Sequence, residues 1–207
     1  MKISSPPVVF VVDDDPAMRD SLRWLIESTG LQVETFADAQ AFLARIRPDL
    51  PGCLILDIRM PGMSGLDLQT ELARRGVGLP TIVVTGHAEV PMAVRAVKAG
   101  AIDFIEKPFS DQLLLDRVRQ GIDRDRQERD GRARRGEVLR RMGLLTHRER
   151  EVLDLVVAGR ANKEIAAALH LSPKTVEVHR AHVMDKMQAS SVAELVRLAL
   201  FASAAPP

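Results

Sequence analysis

The sequence predicts two folded regions: an α/β region built on a doubly wound, five-stranded parallel sheet, and a small all-α region of four helices. Up to about residue 120, short apolar runs alternate with amphipathic helical stretches, which is the pattern of consecutive βαβ units. From about residue 144 onward the apolar residues follow a helical period alone. A chain of 207 residues is long enough for two small domains, each with its own core.

The strands of the sheet are predicted from short runs that are mostly β-branched or aromatic. They are Val8–Val12, Gln32–Phe36, Cys53–Leu56, Thr81–Val84 and Ile102–Ile105. After the first strand, Asp15 and Pro16 have the residue types of a helix N-cap and of the first helical position. Trp24 lies beside the apolar face of that helix, and we interpret it as a core residue.

Charged side chains divide unevenly along the chain. Residues 1–120 contain 13 basic and 16 acidic side chains, whereas residues 121–207 contain 16 basic and 12 acidic ones. An acidic region followed by a basic region suggests that the first binds cations and the second binds polyanions.

The segment between the two regions has a composition of its own. Residues 121–143 contain eight arginines and five acidic residues, with little periodic apolar content. Such a segment has too little apolar surface to form a core, so a charged and partly helical linker is predicted, in which Gly131 and Gly136 interrupt any long helix. The predicted organisation is a first domain over residues 1–120, this linker, and a second domain over residues 144–207.

The cellular location is predicted from what the sequence does not contain. No apolar run approaches the roughly 20 residues that a membrane span requires. The N-terminus has too short an apolar run for a signal peptide, and the single cysteine, Cys53, cannot form an internal disulfide. We therefore expect a cytoplasmic protein without a membrane partner.

Polar side chains follow four of the five predicted strands. Asp13 and Asp14 follow the first strand, Asp57 the third, Thr85 the fourth and Lys107 the fifth. The carboxyl ends of parallel strands share one edge of the sheet, where ligands of such folds bind. Three carboxylates at this edge would repel one another unless a cation lay among them, and oxygen ligands favour Mg²⁺. The hydroxyl of Thr85 and the ammonium of Lys107 are a hydrogen-bond donor and a positive charge, the groups that would bind a phosphoryl group.

The motifs that contain these residues occur in the order VVDDD, LILDIRMPGMSG, VVTGH and DFIEKPF. Together they resemble the receiver domain of two-component response regulators, which has a flavodoxin-like fold. The resemblance implies that Asp57 accepts a phosphoryl group from a sensor histidine kinase. It also implies that Lys107 pairs with the phosphoryl oxygens, that Thr85 closes onto them, and that Phe104 is a switch residue that follows.

The same resemblance implies a site for Mg²⁺ or Mn²⁺. Its ligands would be Asp14, Asp57 and the backbone carbonyl of Arg59, with Asp13 reaching the ion through water. A Mg²⁺-dependent aspartyl-phosphate hydrolase of the haloacid dehalogenase kind is an alternative, because its nucleophile also lies at a strand end. That enzyme needs a second acid two residues after the nucleophile, and Arg59 stands at this position. The chain is therefore not predicted to be an enzyme.

The C-terminal region contains recognisable helix boundaries. Thr146 with Glu149, and Ser191 with Glu194, have the spacing of capping boxes. Two helices, Asn162–Leu169 and Pro173–Met187, are separated by three residues, which is the spacing of a helix-turn-helix motif. The second of these helices has an apolar side and a mixed side. The mixed side carries Lys174, Glu177, Val178, Ala181 and Asp185.

This region resembles the LuxR-type DNA-binding domain, so that the whole chain resembles response regulators of the FixJ/NarL family. The resemblance implies that Glu177, Val178 and Ala181 lie nearest the bases of promoter DNA. The residues that would contact phosphates are Lys163, Lys174, Thr175, Arg180 and Lys186. Related proteins often carry lysines at the positions of Glu177 and Ala181, so the target sequence cannot be inherited from them.

The function predicted from both resemblances is a phosphorylation-switched transcriptional regulator that dimerises to bind promoter DNA. Its expected partners are a sensor histidine kinase, double-stranded DNA, a second copy of the chain and RNA polymerase. A response regulator that acts through protein contact or RNA binding is the alternative, and binding to duplex DNA separates the two.

Overall fold

The structure is a computed structural model that describes residues 6–87 and 89–203. The chain divides into two compact units, Met1–Arg129 and Asp130–Pro207. No helix in the described part of the chain is both long enough and apolar enough to cross a membrane.

The first unit contains the predicted parallel sheet. Its strands are β1 Val8–Val12, β2 Gln32–Phe36, β3 Gly52–Asp57, β4 Thr81–Thr85 and β5 Ala101–Glu106. The strand order is β2-β1-β3-β4-β5, with every neighbouring pair parallel. The predicted fold class is thus confirmed. The order reverses between β1 and β3, which places the switch point of the sheet beside the strand ends at Asp13 and Asp57.

Helices cover both faces of this sheet because the strands are apolar on both sides. The helices are α1 Pro16–Glu27, α2 Ala39–Arg45, α3 Gly65–Arg74, α4 Val90–Lys98 and the beginning of α5 Asp111–Met142. Phe10 and Leu54 belong to the core on the side of α2 and α3. Val9 and Cys53 belong to the core on the side of α1 and α5.

The first helix begins as predicted but buries a narrower face. Asp15 accepts a hydrogen bond from the N–H of Ala17, with Pro16 in the first turn. Leu22 and Ile26 are buried, whereas Trp24 is 77% exposed. The interpretation of Trp24 as a core residue is therefore wrong. At 100° per residue, Trp24 lies on the opposite side of the helix from both buried residues.

The fifth helix is longer than predicted. It is continuous from Asp111 to Met142, so the prediction that the linker is only partly helical, with Gly131 and Gly136 interrupting it, is wrong. Each glycine costs about 1 kcal/mol relative to alanine. Val138 and Met142 are buried in the core of the second unit, and this burial offsets the cost of the glycines.

The second unit contains four further helices in the described residues, as predicted. They are α6 His147–Val157, α7 Asn162–Leu169, α8 Pro173–Met187 and α9 Val192–Ser203. Thr146 and Glu149 form the expected capping box of α6. Ser191 accepts from the N–H of Glu194 as predicted, but the carboxylate of Glu194 accepts from Ser190 instead, so this second box is not closed.

Candidate functional site

The ends of β1, β3 and β5 bring three charged side chains together. The Nζ of Lys107 lies 2.8 Å from Oδ2 of Asp13 and 2.9 Å from Oδ1 of Asp57. Both carboxylates are buried, with exposures of 3% for Asp13 and 7% for Asp57. One ammonium group is therefore shared by two carboxylates, which leaves the cluster with a net negative charge.

Burial of this cluster changes the acidity of its side chains. Burial raises the pKa of Asp57, and the hydrogen bond and charge of Lys107 only partly oppose this effect. Burial by itself would lower the pKa of Lys107, but its hydrogen bonds to Asp13 and Asp57 outweigh burial and raise it. Ionised Asp57 is consequently less stable here than in water, and a further cation would stabilise it.

The carboxylate oxygens of the cluster keep acceptor capacity. Oδ2 of Asp57 accepts a hydrogen bond from the backbone N–H of Arg59 at 2.6 Å, and Oδ1 of Asp13 accepts from the N–H of Asp15 at 2.9 Å. Because each oxygen can accept two hydrogen bonds, each retains one lone pair. These oxygens have the chemistry that Mg²⁺ prefers.

Asp14 stands apart from the buried pair. It is exposed and borders an open cavity of about 610 Å³, together with Arg59 and Met92. No three His, Cys, Asp or Glu side chains within residues 6–87 and 89–203 are grouped closely enough to hold a metal ion. The three carboxylates predicted to bind the metal are therefore present at this edge of the sheet, but they are not gathered around one point. Lys107 contacts two of them, Asp13 and Asp57.

Thr85 and Phe104 occupy the neighbouring strands. Thr85 is fully buried, and its hydroxyl is near the backbone of His87, at 3.3 Å from N and 3.4 Å from O. Phe104 is half-buried and packs against a small cluster that includes Val83 and Ala96. The Lys107–Pro108 peptide bond is cis.

An apolar surface lies on α4. Its exposed residues include Val90, Val94 and Val97, the last with an exposure of 59%. Arg95 is exposed on the same helix and lies 4.0 Å from Asp67. Asp103, on the adjacent β5, forms an ion pair with Arg117.

The second unit presents the predicted mixed side of α8 to solvent. Ser172 accepts from the N–H of Thr175 and so caps the helix, while Val176, Val183 and Met187 are buried. The predicted DNA-contacting residues that are exposed are Lys163, Lys174, Glu177, Val178 and Ala181.

The other three predicted DNA-contacting residues have partners within the chain. Lys186 donates to Oε2 of Glu149 at 2.6 Å, and Arg180 donates to Oδ1 of Asn162 at 2.5 Å. The hydroxyl of Thr175 lies 2.7 Å from that of Ser172. Arg180 thus connects α8 to α7, Lys186 connects α8 to α6, and Thr175 contacts the residue that caps α8. The sequence did not indicate these contacts.

Glu149 is the centre of one of these contacts. It is 3% exposed, and it accepts from the N–H of Thr146 as well as from Lys186. The hydrogen bond from Lys186 lowers the pKa of Glu149 to about 2, and Thr146 adds to the effect against the opposing influence of burial. The capping-box spacing was the sequence signal for Glu149, but nothing in the sequence paired it with Lys186.

His179 is a residue of α8 that the sequence analysis did not assign to DNA. Its Nδ1 is shielded from solvent and has no hydrogen-bond partner. In the described structure the ring forms no hydrogen bond or ion pair at either nitrogen, and only Nδ1 is enclosed. Nε2 is therefore the accessible nitrogen.

Two family models match the chain. The model described as the response regulator receiver domain matches residues 9–119. The model described as bacterial regulatory proteins of the luxR family matches residues 143–199.

Curated relatives match along nearly the whole chain. The transcriptional regulatory protein FixJ of Azorhizobium caulinodans is 50% identical over 96% of this chain and 94% of its own length. Nodulation protein W of Bradyrhizobium diazoefficiens is 47% identical over 94% of this chain and 86% of its own length. The response regulator protein TodT of Pseudomonas putida is 44% identical over 92% of this chain and 84% of its own length.

Solved structures of response regulators also match along nearly the whole chain. The response regulator StyR is 45% identical, with a TM-score of 0.85 over 95% of this chain and 99% of its own. Full-length FixJ from B. japonicum is 43% identical, with a TM-score of 0.58 over 95% of this chain and 97% of its own.

Proposed function

The chain belongs to the response regulators that join a receiver domain to a LuxR-type DNA-binding domain, and on this premise we propose that Asp57 is the residue that becomes phosphorylated. The protein is a phosphorylation-dependent transcriptional regulator and not an enzyme. The receiver domain implies a sensor kinase as partner, and the LuxR-type domain implies binding to DNA.

The observation that most strongly supports Asp57 as the phosphorylated residue is its contact with Lys107, which also contacts Asp13. In the proposed step, a carboxylate oxygen of Asp57 attacks phosphorus, and the bond between phosphorus and the donor's leaving atom breaks. The product is an acyl phosphate. Lys107 lies within hydrogen-bond distance of Asp57, so its ammonium is close enough to pair with the added phosphoryl oxygens. The hydroxyl of Thr85, on the next strand, would donate to the same group.

Receiver domains generally bind Mg²⁺ at the phosphorylation site. In this chain the ligands would be Asp14, Asp57 and the backbone carbonyl of Arg59, with Asp13 contributing through water. When bound, Mg²⁺ or Mn²⁺ offsets the negative charge of the carboxylate and of the phosphoryl group. The acceptor capacity of the oxygens of Asp13 and Asp57 supports this assignment.

Labelling with acetyl phosphate tests the assignment of Asp57. The Asp57→Asn variant should incorporate no label, because an amide is not a nucleophile that forms the acyl phosphate. Asp20→Asn is the matched control, since Asp20 is exposed on α1 and takes part in no hydrogen bond with the residues that the structure describes. Labelling of Asp57→Asn at the level of the control would remove Asp57 from the mechanism.

We further propose that phosphorylation promotes a dimer through the α4 surface formed by Val90, Val94, Arg95 and Val97. Exposed apolar side chains beside charged ones suit a contact that forms and dissociates. A dimer spans two half-sites, and tethering raises the effective concentration of the second DNA-binding domain to roughly millimolar. The half-buried Leu198 of α9 is a second, weaker candidate contact on DNA.

Sedimentation of the full chain with and without beryllofluoride tests the dimer. A shift from monomer to dimer is expected for the parent and should be lost in Val97→Glu. Trp24→Glu is the control, because Trp24 is an exposed apolar residue on a different helix of the same unit. A chain that remains monomeric at tens of micromolar with beryllofluoride would exclude this dimer.

For DNA, we propose that Glu177, Val178 and Ala181 of α8 face the bases, and that Lys163 and Lys174 contact phosphates. Loss of one such lysine should lower the slope of log K against log salt by about 0.9. Thr175, Arg180 and Lys186 are also proposed phosphate contacts, although each would have to share or exchange its present partner. RNA polymerase as a partner and a cytoplasmic location stay predictions.

A further inference from the structure

We propose that His179 is an additional DNA-binding residue, which donates a hydrogen bond from Nε2–H to a backbone phosphate. The proposal rests on the placement of α8 in the major groove that is proposed above. It assigns a ligand to a ring that has no partner within the described chain.

The position of His179 on α8 supports a contact with phosphate. His179 is three residues after buried Val176 and four before buried Val183, which places it on the buried side of α8. It is only half-buried, so it lies at the edge of that side, on the border with the exposed residues. An α-helix with its side chains is about 10–12 Å wide, and the major groove is about 12 Å wide. Side chains at this border therefore face the sugar-phosphate wall of the groove, whereas Val178 and Ala181 face its floor.

The two ring nitrogens of His179 differ in their surroundings. Nδ1 is enclosed without an acceptor, so a proton on Nδ1 would be an unpaired buried N–H group. The neutral ring avoids this by carrying its proton on Nε2, the nitrogen that remains accessible. The surroundings of the ring thereby favour the tautomer that has its donor on Nε2.

Neighbouring groups on the same border of α8 already have partners. The hydroxyl of Thr175 is hydrogen-bonded to Ser172, and the ammonium of Lys186 is bonded to Glu149. Nδ1 of His182 lies 3.6 Å from the same glutamate. His179 is thus the donor on this border that a phosphate can engage without breaking a contact of the described structure.

The test is titration of the full chain, with beryllofluoride, against a labelled random-sequence duplex at pH 8 over a series of salt concentrations. His179→Leu should weaken binding by roughly tenfold, the size expected for a hydrogen bond to a charged group. The salt slope should not change, because histidine is ordinarily uncharged at pH 8 and an uncharged donor releases no counterion. Lys163→Ala provides the contrast, since it should lower the slope by about 0.9.

Two conservative variants separate a phosphate contact from a packing role. The side-chain nitrogen of His179→Gln reaches the place of Nε2 and should restore binding, whereas the shorter His179→Asn should not. If Gln and Asn bind equally, or if the folded Leu variant binds as the parent does, His179 contacts no phosphate. If His179→Leu does not fold, the Gln and Asn comparison decides alone. Failure of the parent to bind, or an unchanged slope in Lys163→Ala, would instead contradict the proposed docking of α8.

Discussion

Each of the two units buries a carboxylate against a lysine, yet folding shifts the pKa of the two carboxylates in opposite directions. Asp57 in the first unit lies 2.9 Å from Lys107, and Glu149 in the second lies 2.6 Å from Lys186. The pKa of Asp57 is raised, mainly by burial. The pKa of Glu149 falls to about 2, mainly because of the hydrogen bond from Lys186.

Burial has the larger effect on Asp57, and a second difference is how many carboxylates share each ammonium group. Lys107 is divided between Asp13 and Asp57, whereas Lys186 serves Glu149, which also accepts from the N–H of Thr146. A cluster with more carboxylates than cations attracts a metal ion and an electrophile. A carboxylate whose charge is balanced by its own lysine, as in Glu149, stabilises the fold and has little tendency to bind a metal ion or to react with an electrophile. The ratio of charges, and not burial alone, separates a reactive site from a structural one.

The largest effect expected from this comparison is on signalling, in Lys107→Ala. Removing the ammonium should abolish most of the gain in DNA affinity on treatment with beryllofluoride, because Lys107 supplies the positively charged side chain that contacts Asp57, and the neutral hydroxyl of Thr85 does not replace that charge. Mg²⁺ binding, measured by calorimetry, should persist because the carboxylates remain. A Lys107→Ala chain that still gains affinity would show that the lysine is as structural as Lys186.

The second expected effect is on the stability of the DNA-binding unit, in Lys186→Ala. Glu149 would lose its cation while still buried, which should lower the free energy of unfolding by about 1–3 kcal/mol. Thermal melting followed by circular dichroism measures this loss. Lys163→Ala is the control, because Lys163 is exposed and, within residues 6–87 and 89–203, forms no hydrogen bond or ion pair. Equal melting temperatures for the two variants would argue against a structural role for the pair.

The third expected effect is a dependence of stability on acid. The pKa of Glu149 falls from its ordinary value of 4.5 to about 2 on folding, so its contribution is present above pH 4.5 and is lost between pH 4.5 and about 2. Chemical unfolding of the parent and of Glu149→Gln across this range measures the contribution. The stability difference between them should shrink as the pH falls. A constant difference would assign the stabilisation to packing.

The smallest expected effect is a gain in stability from Asp57→Asn. Since folding raises the pKa of Asp57, ionisation of this group opposes folding near pH 7, and this penalty is absent below the ordinary pKa of 3.8. The variant should melt at a higher temperature than the parent at pH 7, with the increase declining toward acid. A lower melting temperature would mean that the bond to Lys107 outweighs burial.

The sequence was most informative where the signal is local or periodic. All five strands and both helices of the helix-turn-helix motif were predicted, because their apolar residues repeat along the chain. The strand-end rule also brought Asp13, Asp57 and Lys107 to one edge of the sheet, and their contacts agree with it.

The sequence was least informative where two distant residues decide the outcome. Lys186 and Glu149 are 37 positions apart, and neither carries a local signal for the other. The continuity of α5 likewise depends on burial of Val138 and Met142, which composition alone did not reveal. Trp24 was misassigned for a different reason, because a hydrophobic residue need not be buried on a helix with a narrow apolar face.

The beginning of β3 is hydrogen-bonded to a part of α5 that lies after residue 119, where the match to the receiver model ends. Buried Asp125 accepts from the N–H of Gly52 at 2.9 Å, and Arg129 bonds both to Asp125 and to the carbonyl oxygen of Leu50. The strand held in this way ends at Asp57. Anyone who exchanges receivers between regulators to rewire a bacterial circuit should therefore place the recombination joint after Arg129, because a joint at residue 119 would leave the anchor of that strand in the other parent.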